Sequence, residues 1–345
     1  MFTYVELSNF KSFGHIRFDF KKSKNDCKKF VAIYGENGSG KSNFVSAIEL
    51  LSHLTTSFVS MLQIEHYKKQ MMEKINMYWG KHSFLALVLA ERRSKNEKFI
   101  YDNLSTNMLK VLDCFMHVFI LCKATNSLHT GIICGSNISI SDFDNINIES
   151  NDKKKLQLLH KIEKIIKNFY VQAYTDIIDV YYNATVTNND NKIYKLYVKK
   201  IIANKVRTIP FEEESAGTQR VLSVLRAILE AINGQTVVYD EIDDGIHDLL
   251  MCNILLSVQN DIKGQLIITT HNTLLLEDLN PKSAYVIYSD VDGNKEARCV
   301  DDYDIRIQSS NNQRKLYLNG VFGGIPYSSQ IDYSSNDYKF DNLEE

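Results

Sequence analysis

Proline is scarce in this 345-residue chain. It occurs three times, at Pro210, Pro281 and Pro326, so no proline-rich linker marks a domain boundary. Cysteine gives no framework either. The six, Cys27, Cys114, Cys122, Cys134, Cys252 and Cys299, include no C-x-x-C pair. That spacing argues against a zinc ribbon or a dithiol redox motif and leaves buried, reduced thiols as the reading. Neither sign of charge dominates: the formal net charge is −2. Overall charge therefore makes no case for nucleic acid, although a local basic patch stays open. The longest apolar run, "MLKVLDCFMHVFILCKA" (108–124), is interrupted by Lys110, Asp113 and His117 and is too short to span a bilayer. It reads as a buried helix. The opening "MFTYVELSNF" lacks the basic-then-apolar pattern of a secretory leader. The expectation is a cytoplasmic protein without a membrane segment, large enough for one large or two modest domains.

What is there is alternation of strand and helix patterns. "FTYVELSNFKSFGHIRFDF" alternates and is rich in aromatic and β-branched residues, which predicts a strand pair; "KKSKNDCKK" (21–29) reads as a polar turn. "FVAIYG" (30–35) is a short apolar strand, and "SNFVSAIELLSHL" (42–54) has Phe44, Val45, Ile48 and Leu51 at helical spacing. "SFLALVLAE" (83–91) reads as a strand, and "TGIICGSNISISDFDNINI" as strand and turn. Residues 152–170 predict an amphipathic helix with Leu156, Leu159, Ile162, Ile166 and Phe169 on one face. Two strands, "IIDVYYNATV" and "KIYKLYVKKII", follow around the turn cluster "TNNDN". Residues 219–234 predict a helix with Val221, Leu225, Ile228 and Ile232 inward and Gly234 after its last turn. Then come the strand "QTVVYDE", the helix "CNILLSVQNDI", and the strands "GQLIITTH" and "SAYVIYSD". This order implies an α/β fold with a mainly parallel sheet flanked by helices, and an antiparallel β subdomain from the N-terminal third. The polar, acidic end (328–345) reads as a loose tail.

The chemistry begins with "GENGSGKS" (35–42), a complete G-x-x-x-x-G-K-[ST] between a strand and a helix. Gly35, Gly38 and Gly40 let backbone amides curl into a nest for phosphate oxygens, and the new helix adds its positive N-terminal dipole. Lys41 supplies a point charge for the β- and γ-phosphates, and Ser42 a hydroxyl for Mg²⁺. Glu36, Asn37, Ser39 and Asn43 complete the nucleotide-binding tract. A second signal is "TVVYDE" (236–241), an apolar strand ending in two acids, which are costly there unless they manage cations or protons. Asp240 is the candidate Mg²⁺ holder and Glu241 the residue that orients the attacking water. "GQLIITTHN" brings His271 to the tip of another strand, at the carboxyl edge where ligands bind in such sheets. His271 is the candidate γ-phosphate or water contact.

Taken in order, the phosphate loop, "SAGTQR", "VVYDEIDDGIH" and "ITTH" resemble the ABC-type ATPase heads of the SMC and RecF group, as does the opening "LSNFKSFG". More narrowly, "ESAGTQRVLSVL", "DEIDDGIH" and the late "YLNGVFGGIPY" are similar to stand-alone bacterial ATPases of the OLD-like and Rlo-type group, many of them linked to restriction loci or anti-phage defence. The resemblance covers roughly 1–54 and 170–327. It implies a P-loop NTPase head in two halves (1–54 and 171–327), separated by a partly helical insertion lobe (55–170). It implies ATP and Mg²⁺ as ligands. It also implies that Ser215, Gly217, Thr218 and Gln219 form a signature tract facing the phosphate loop of another protomer. Asp243 and Asp244 fall where such heads carry a loop that crosses the interface, and Lys11 where the opening motif often supplies a nucleotide contact. The expected partners are a second copy, as a dimer or higher oligomer, and an effector such as a nuclease or toxin. The signature departs from L-S-G-G-Q, the insertion is too short for a long coiled coil, and the Q-loop has no firm residue, Gln63 being one candidate. No Toprim-like nuclease domain is visible. The runner-up function is a repair or recombination ATPase that binds DNA itself through "KKSKNDCKK" or the basic stretch Lys192–Arg207; the bland alternative is a solvated turn and polar strand faces.

Overall fold

The computed structural model describes residues 1–23, 26–50, 106, 118–121, 145–149, 152–186, 191–303 and 312–326. The expected strand at 83–91, the tail from 328, Gln63, Cys114, Cys122 and Cys134 lie outside them. Cys27, Cys252 and Cys299 are free and buried.

The head is organised by a six-stranded sheet in the order β14-β13-β5-β12-β11-β6. Its strands are β5 (Phe30–Tyr34), β6 (Val118–Leu121), β11 (Thr236–Tyr239), β12 (Gln265–Thr269), β13 (Ala284–Ser289) and β14 (Lys295–Cys299). Every neighbouring pair is parallel except the edge pair β13–β14. Both faces of the parallel strands are covered, so these carry no polar alternation, whereas the edge strand β14 alternates between half-buried and exposed residues. Along β5, Phe30, Ala32 and Tyr34 face one apolar cluster while Val31 and Ile33 face the other. On the second face sits the antiparallel hairpin of β1 (Tyr4–Phe10) and β2 (Phe13–Asp19), together with the helix α1 that follows the phosphate loop (described over 41–50). Phe18 and Phe44 join hairpin to helix with ring centroids 4.6 Å apart.

The first face carries α2 (Lys153–Ala173), α3 (Ala216–Ile232) and α4 (Asp248–Val258). Here a second, antiparallel sheet is built on β9 (Asn191–Ile202), which pairs with β7 (Asn145–Glu149), β8 (Ile177–Val186) and β10 (Lys205–Pro210). α2 buries Leu159, Ile162 and Ile166, as its spacing predicts, and Tyr170 besides, with Leu156 and Phe169 partly covered. Tyr170 is wholly buried and donates its hydroxyl to the Thr218 carbonyl at 2.7 Å, which ties α2 to the start of α3. Burying side chains of this size contributes roughly 1.5–3 kcal/mol each.

Two expectations need correction. Residues 118–121, placed inside a buried helix by the reading of 108–124, form β6 and pair in parallel with β11. A short apolar run is compatible with either element, and here the open edge of β11 supplies the hydrogen-bond partners that decide it. The polar turn at 21–29 contains a small hairpin, β3 (Lys21–Ser23) with β4 (Asp26–Cys27).

Candidate functional site

The parallel strands end on one edge, and the chemistry-bearing segments leave from there. The phosphate loop leaves β5, the acid pair leaves β11 and His271 leaves β12. Gly38 and Gly40 have φ of 81° and 109°, values that side chains rarely adopt, and a Cβ at Gly40 would strike the Phe13 ring. The turn between β1 and β2 therefore packs directly on the loop. Ser12, in that turn, accepts from Asn43 Nδ2 at 2.6 Å and from Lys295 Nζ at 3.0 Å. Lys295 also donates to the Gly38 carbonyl. Ser39 is buried, its hydroxyl against Gly35 and without a protein partner among the described residues.

Lys41 is 5% exposed and donates to two carbonyls of its own loop, Gly35 at 2.7 Å and Glu36 at 3.0 Å. Burial lowers its pKa, against the pull of Glu241 and Asp240. Asp240 is 7% exposed, and burial raises its pKa although Thr269 and Ser42 both hydrogen-bond to it. The two shifts agree that desolvation outweighs the mutual attraction. Thr269 is a site residue that the sequence did not reveal. Its hydroxyl donates to Asp240 Oδ1 at 2.6 Å and accepts from the Glu241 amide at 2.8 Å. Glu241 is thereby held at φ 49°, a left-handed conformation that costs of order 1 kcal/mol or more for a side-chain-bearing residue and persists where its surroundings over-determine it. His271 has its pKa lowered by burial first and by Lys41 second, which favours the neutral ring. A cavity of about 150 Å³ is lined by Asn37, Gly38, Gly40, Lys41, Ser42, Asn43, Glu241 and His271. The loop, acid pair and histidine are thus brought together as the sequence order suggests.

The signature tract is elsewhere. Ser215 caps α3, its hydroxyl accepting from the Thr218 amide at 3.2 Å and lying 2.8 Å from the Thr218 hydroxyl. Gln219 donates to the carbonyls of Glu212 and Glu214 at 2.9 and 2.8 Å. Gly217 lies against the loop after the acid pair: a Cβ there would come within 2.6 Å of the Gly245 carbonyl oxygen. Asp244 pairs with Arg220 of α3 at 3.4 Å, whereas Asp243 Oδ2 accepts from the backbone amide of His271 in the same chain at 3.1 Å. None of 215–219 lines the cavity. Lys11 stands at the β1–β2 turn with its ammonium 5.8 Å from the Phe10 ring centroid, and is not among the lining residues. "YLNGVFGGIPY" has a structural part to play, since Gly324 packs against β13 and a Cβ there would lie 3.4 Å from Gly35 Cα. In the basic stretch, Lys195 pairs with Glu212, and Lys200 with Asp176 and Glu214. Two of its cations are therefore already neutralised.

Two family models match the chain on either side of the intervening segment. One, described as "AAA domain", covers residues 4–60; the other, described as "AAA domain, putative AbiEii toxin, Type IV TA system", covers residues 127–277. Both descriptions are of AAA domains, and beside the intact phosphate loop they support an ATPase. The ATPase domain is a P-loop NTPase fold, with its phosphate loop on the strand next to β12 in a mainly parallel sheet. Over its length the chain is similar to the Septu protein PtuA of Bacillus mycoides (strain KBAB4), at 24% identity over 92% of this chain and 44% of that protein. The chain thus spans less than half the length of that curated relative. Among solved structures, it overlaps an SmcHead bound to the C-winged helix domain of ScpA, with TM-score 0.44, 16% identity, and 86% and 96% of the two chains covered. It also overlaps the SMC head domain from Thermotoga maritima, with TM-score 0.38, 12% identity, and 86% and 98% covered. Among the described residues no helix is long and apolar enough to cross a membrane.

Proposed function

We propose that this chain is an ATP-hydrolysing switch of anti-phage defence, in which two copies close on nucleotide and thereby control an effector such as a nuclease or toxin. One observation carries the reading. The cavity is walled by the phosphate loop, Glu241 and His271, while the signature tract is held apart from it at the exposed start of α3, where Ser215 and Ala216 face solvent. A second copy presenting that helix start would complete the site, because helix amides favour a γ-phosphate. The likeness to the Septu protein PtuA, and to a family description that names a toxin system, supports the defence context.

The residues fit a magnesium nucleotide. Ser42 and Asp240 are hydrogen-bonded to each other beside the loop, and a buried carboxylate whose charge is penalised by desolvation is suited to a cation. Mg²⁺ held there would neutralise charge on the β- and γ-phosphates. Lys41, now donating to its own loop carbonyls, has its hydrogens available for phosphate oxygens once those bonds are exchanged. Glu241 would accept the proton of the attacking water as the water oxygen bonds to the γ-phosphorus and the bond from that phosphorus to the bridging oxygen breaks, releasing ADP. The Thr269 hydroxyl fixes the backbone from which Glu241 acts and orients Asp240. A neutral His271 completes the phosphate side without adding charge repulsion against Lys41.

The test is association. Glu241→Gln binds nucleotide but stalls hydrolysis, with turnover down about 100-fold or more. Gel filtration of this variant is expected to show a larger species with ATP than without. One unchanged species under both conditions overturns nucleotide-driven pairing.

A further inference from the structure

Behind the catalytic edge, two polar atoms of opposite kind are buried without a protein partner among the described residues: the Tyr34 hydroxyl and Asp243 Oδ1. Tyr34 ends β5, is 1% exposed, and immediately precedes Gly35 of the phosphate loop. Asp243 lies in the turn after β11, its other oxygen holding the His271 amide. β12 lies between β5 and β11 and is stitched to both at its exit. Thr270 N donates to the Ile33 carbonyl, and Ile242 N to the Thr269 carbonyl, both at 3.2 Å. The sheet thus delivers a phenol and a carboxylate to the same buried end. The Asp243 charge follows burial among the causes that push the Tyr34 hydroxyl well above its ordinary pKa.

An unpaired buried donor or acceptor costs about 1–3 kcal/mol, and buried polar groups are nearly always paired. No direct bond joins them, so one bridging water that accepts from the phenol and donates to the carboxylate resolves both costs. Tyr34 is also kept from turning away. Its ring lies 5.9 Å from that of Tyr317, whose hydroxyl donates to the Gly324 carbonyl at 2.9 Å.

We propose that Tyr34 is a positioning residue for His271: its hydroxyl is joined through a bridging water to Asp243 Oδ1, and the carboxylate held in this way fixes the His271 backbone through Oδ2. The proposal rests on the ATPase reading and deepens it. Tyr34 and Gly35 are consecutive, so any movement of the phosphate loop reaches His271 through one carboxylate. No step passes through the phenol itself, because its proton stays on oxygen.

Tyr34→Phe removes the hydroxyl alone. In the nucleotide-free full chain, hydrogen exchange of the His271 amide is expected to become about tenfold faster, the factor of one lost hydrogen bond. In turnover, kcat is expected to fall by a similar factor with KM for ATP within about twofold, and Tm to fall as the Asp243 oxygen loses its partner. A purely structural hydroxyl predicts the reverse pattern: unchanged exchange and kcat, with an equal or higher Tm. Asp243→Asn provides the second arm, since adding Tyr34→Phe to it is expected to change neither exchange nor kcat further. Unchanged His271 exchange in Tyr34→Phe overturns the proposal, as does faster exchange with unchanged kcat, or additivity of the two substitutions. Wild-type turnover no faster than that of Lys41→Ala would instead sink the ATPase reading, and the exchange arm still decides the contact.

Discussion

The edge of the head that carries the phosphate loop and the edge that carries residues 215–219 are stabilised in opposite ways. At the first, charge is drawn inward. Lys41 and Asp240 are buried, each is penalised by desolvation, and each is held by groups of its own chain. At the second, polar groups are turned to local use and the helix start is left exposed. Ser215 caps its helix, Gln219 closes on Glu212 and Glu214, and Thr218 is pinned from beneath by Tyr170. The first edge is a candidate binding site whose buried charges are held against desolvation. The second is a preorganised surface whose side chains have little freedom left to lose on association. Such a difference suits two parts that act on the same ligand from different molecules.

The strongest way to break this comparison is to separate the two edges genetically. Lys41→Ala is expected to lower phosphate release by at least about 100-fold. Ser215→Arg, which places a long cation at the exposed start of α3, is expected to do the same while leaving nucleotide binding by the single chain intact. Mixed, the two inactive proteins should regain turnover, because one composite site then has an intact loop from one chain and an intact signature from the other. A mixture as inactive as its components would mean that each chain works alone.

The second effect is on stability and has the opposite sign from the effect on function. The pKa of Asp240 is raised in the folded chain above its unfolded value, so the group favours folding only while protonated, and that contribution is lost as pH climbs through the carboxylate range. At neutral pH the ionised form is the penalised one. Asp240→Asn keeps an acceptor for Thr269 and removes the charge. It is therefore expected to raise Tm at pH 7 in the absence of Mg²⁺, with a gap to wild type that narrows as pH falls toward 4, while turnover is lost. Thermal melts across pH 4–7 check this, and a lowered Tm at pH 7 would mean that Lys41 already compensates the carboxylate.

The smallest effect belongs to the edge that carries residues 215–219. Ser215→Ala removes a helix cap and is expected to cost about 1 kcal/mol in urea unfolding. If the cost were near zero, the Thr218 hydroxyl, 2.8 Å away, would be serving as the cap instead.

Much of the architecture was legible because its signals are local. The phosphate loop, the inward faces of α2 and α3 and the strands leading to Asp240 and His271 follow from spacing alone. β6 was not legible, because a strand buried on both faces shows no alternation and Val118–Leu121 sits inside a longer apolar run. Thr269 was hidden in "LIITT", where only the pairing of β12 between β5 and β11 gives its hydroxyl two partners. Lys295 was hidden by distance, since it reaches Gly38 across 257 positions of sequence. The inward turn of Asp243 toward His271 could not be read from "IDDGIH", because the direction of a side chain in a tight turn is set by neighbours that come from another strand.

The contact between Gly217 and Gly245 leaves no room for even a methyl group, and the Arg220–Asp244 pair lies beside it. It binds the helix that faces outward to the loop that leaves the acid pair. If two copies close on two nucleotides as proposed, the surface that touches one nucleotide is fastened, backbone against backbone, to the machinery that cleaves the other. The two turnovers would then not be independent events: each copy would gauge the state of its neighbour's ligand through a joint with no slack, and the pair would keep time as a single clock.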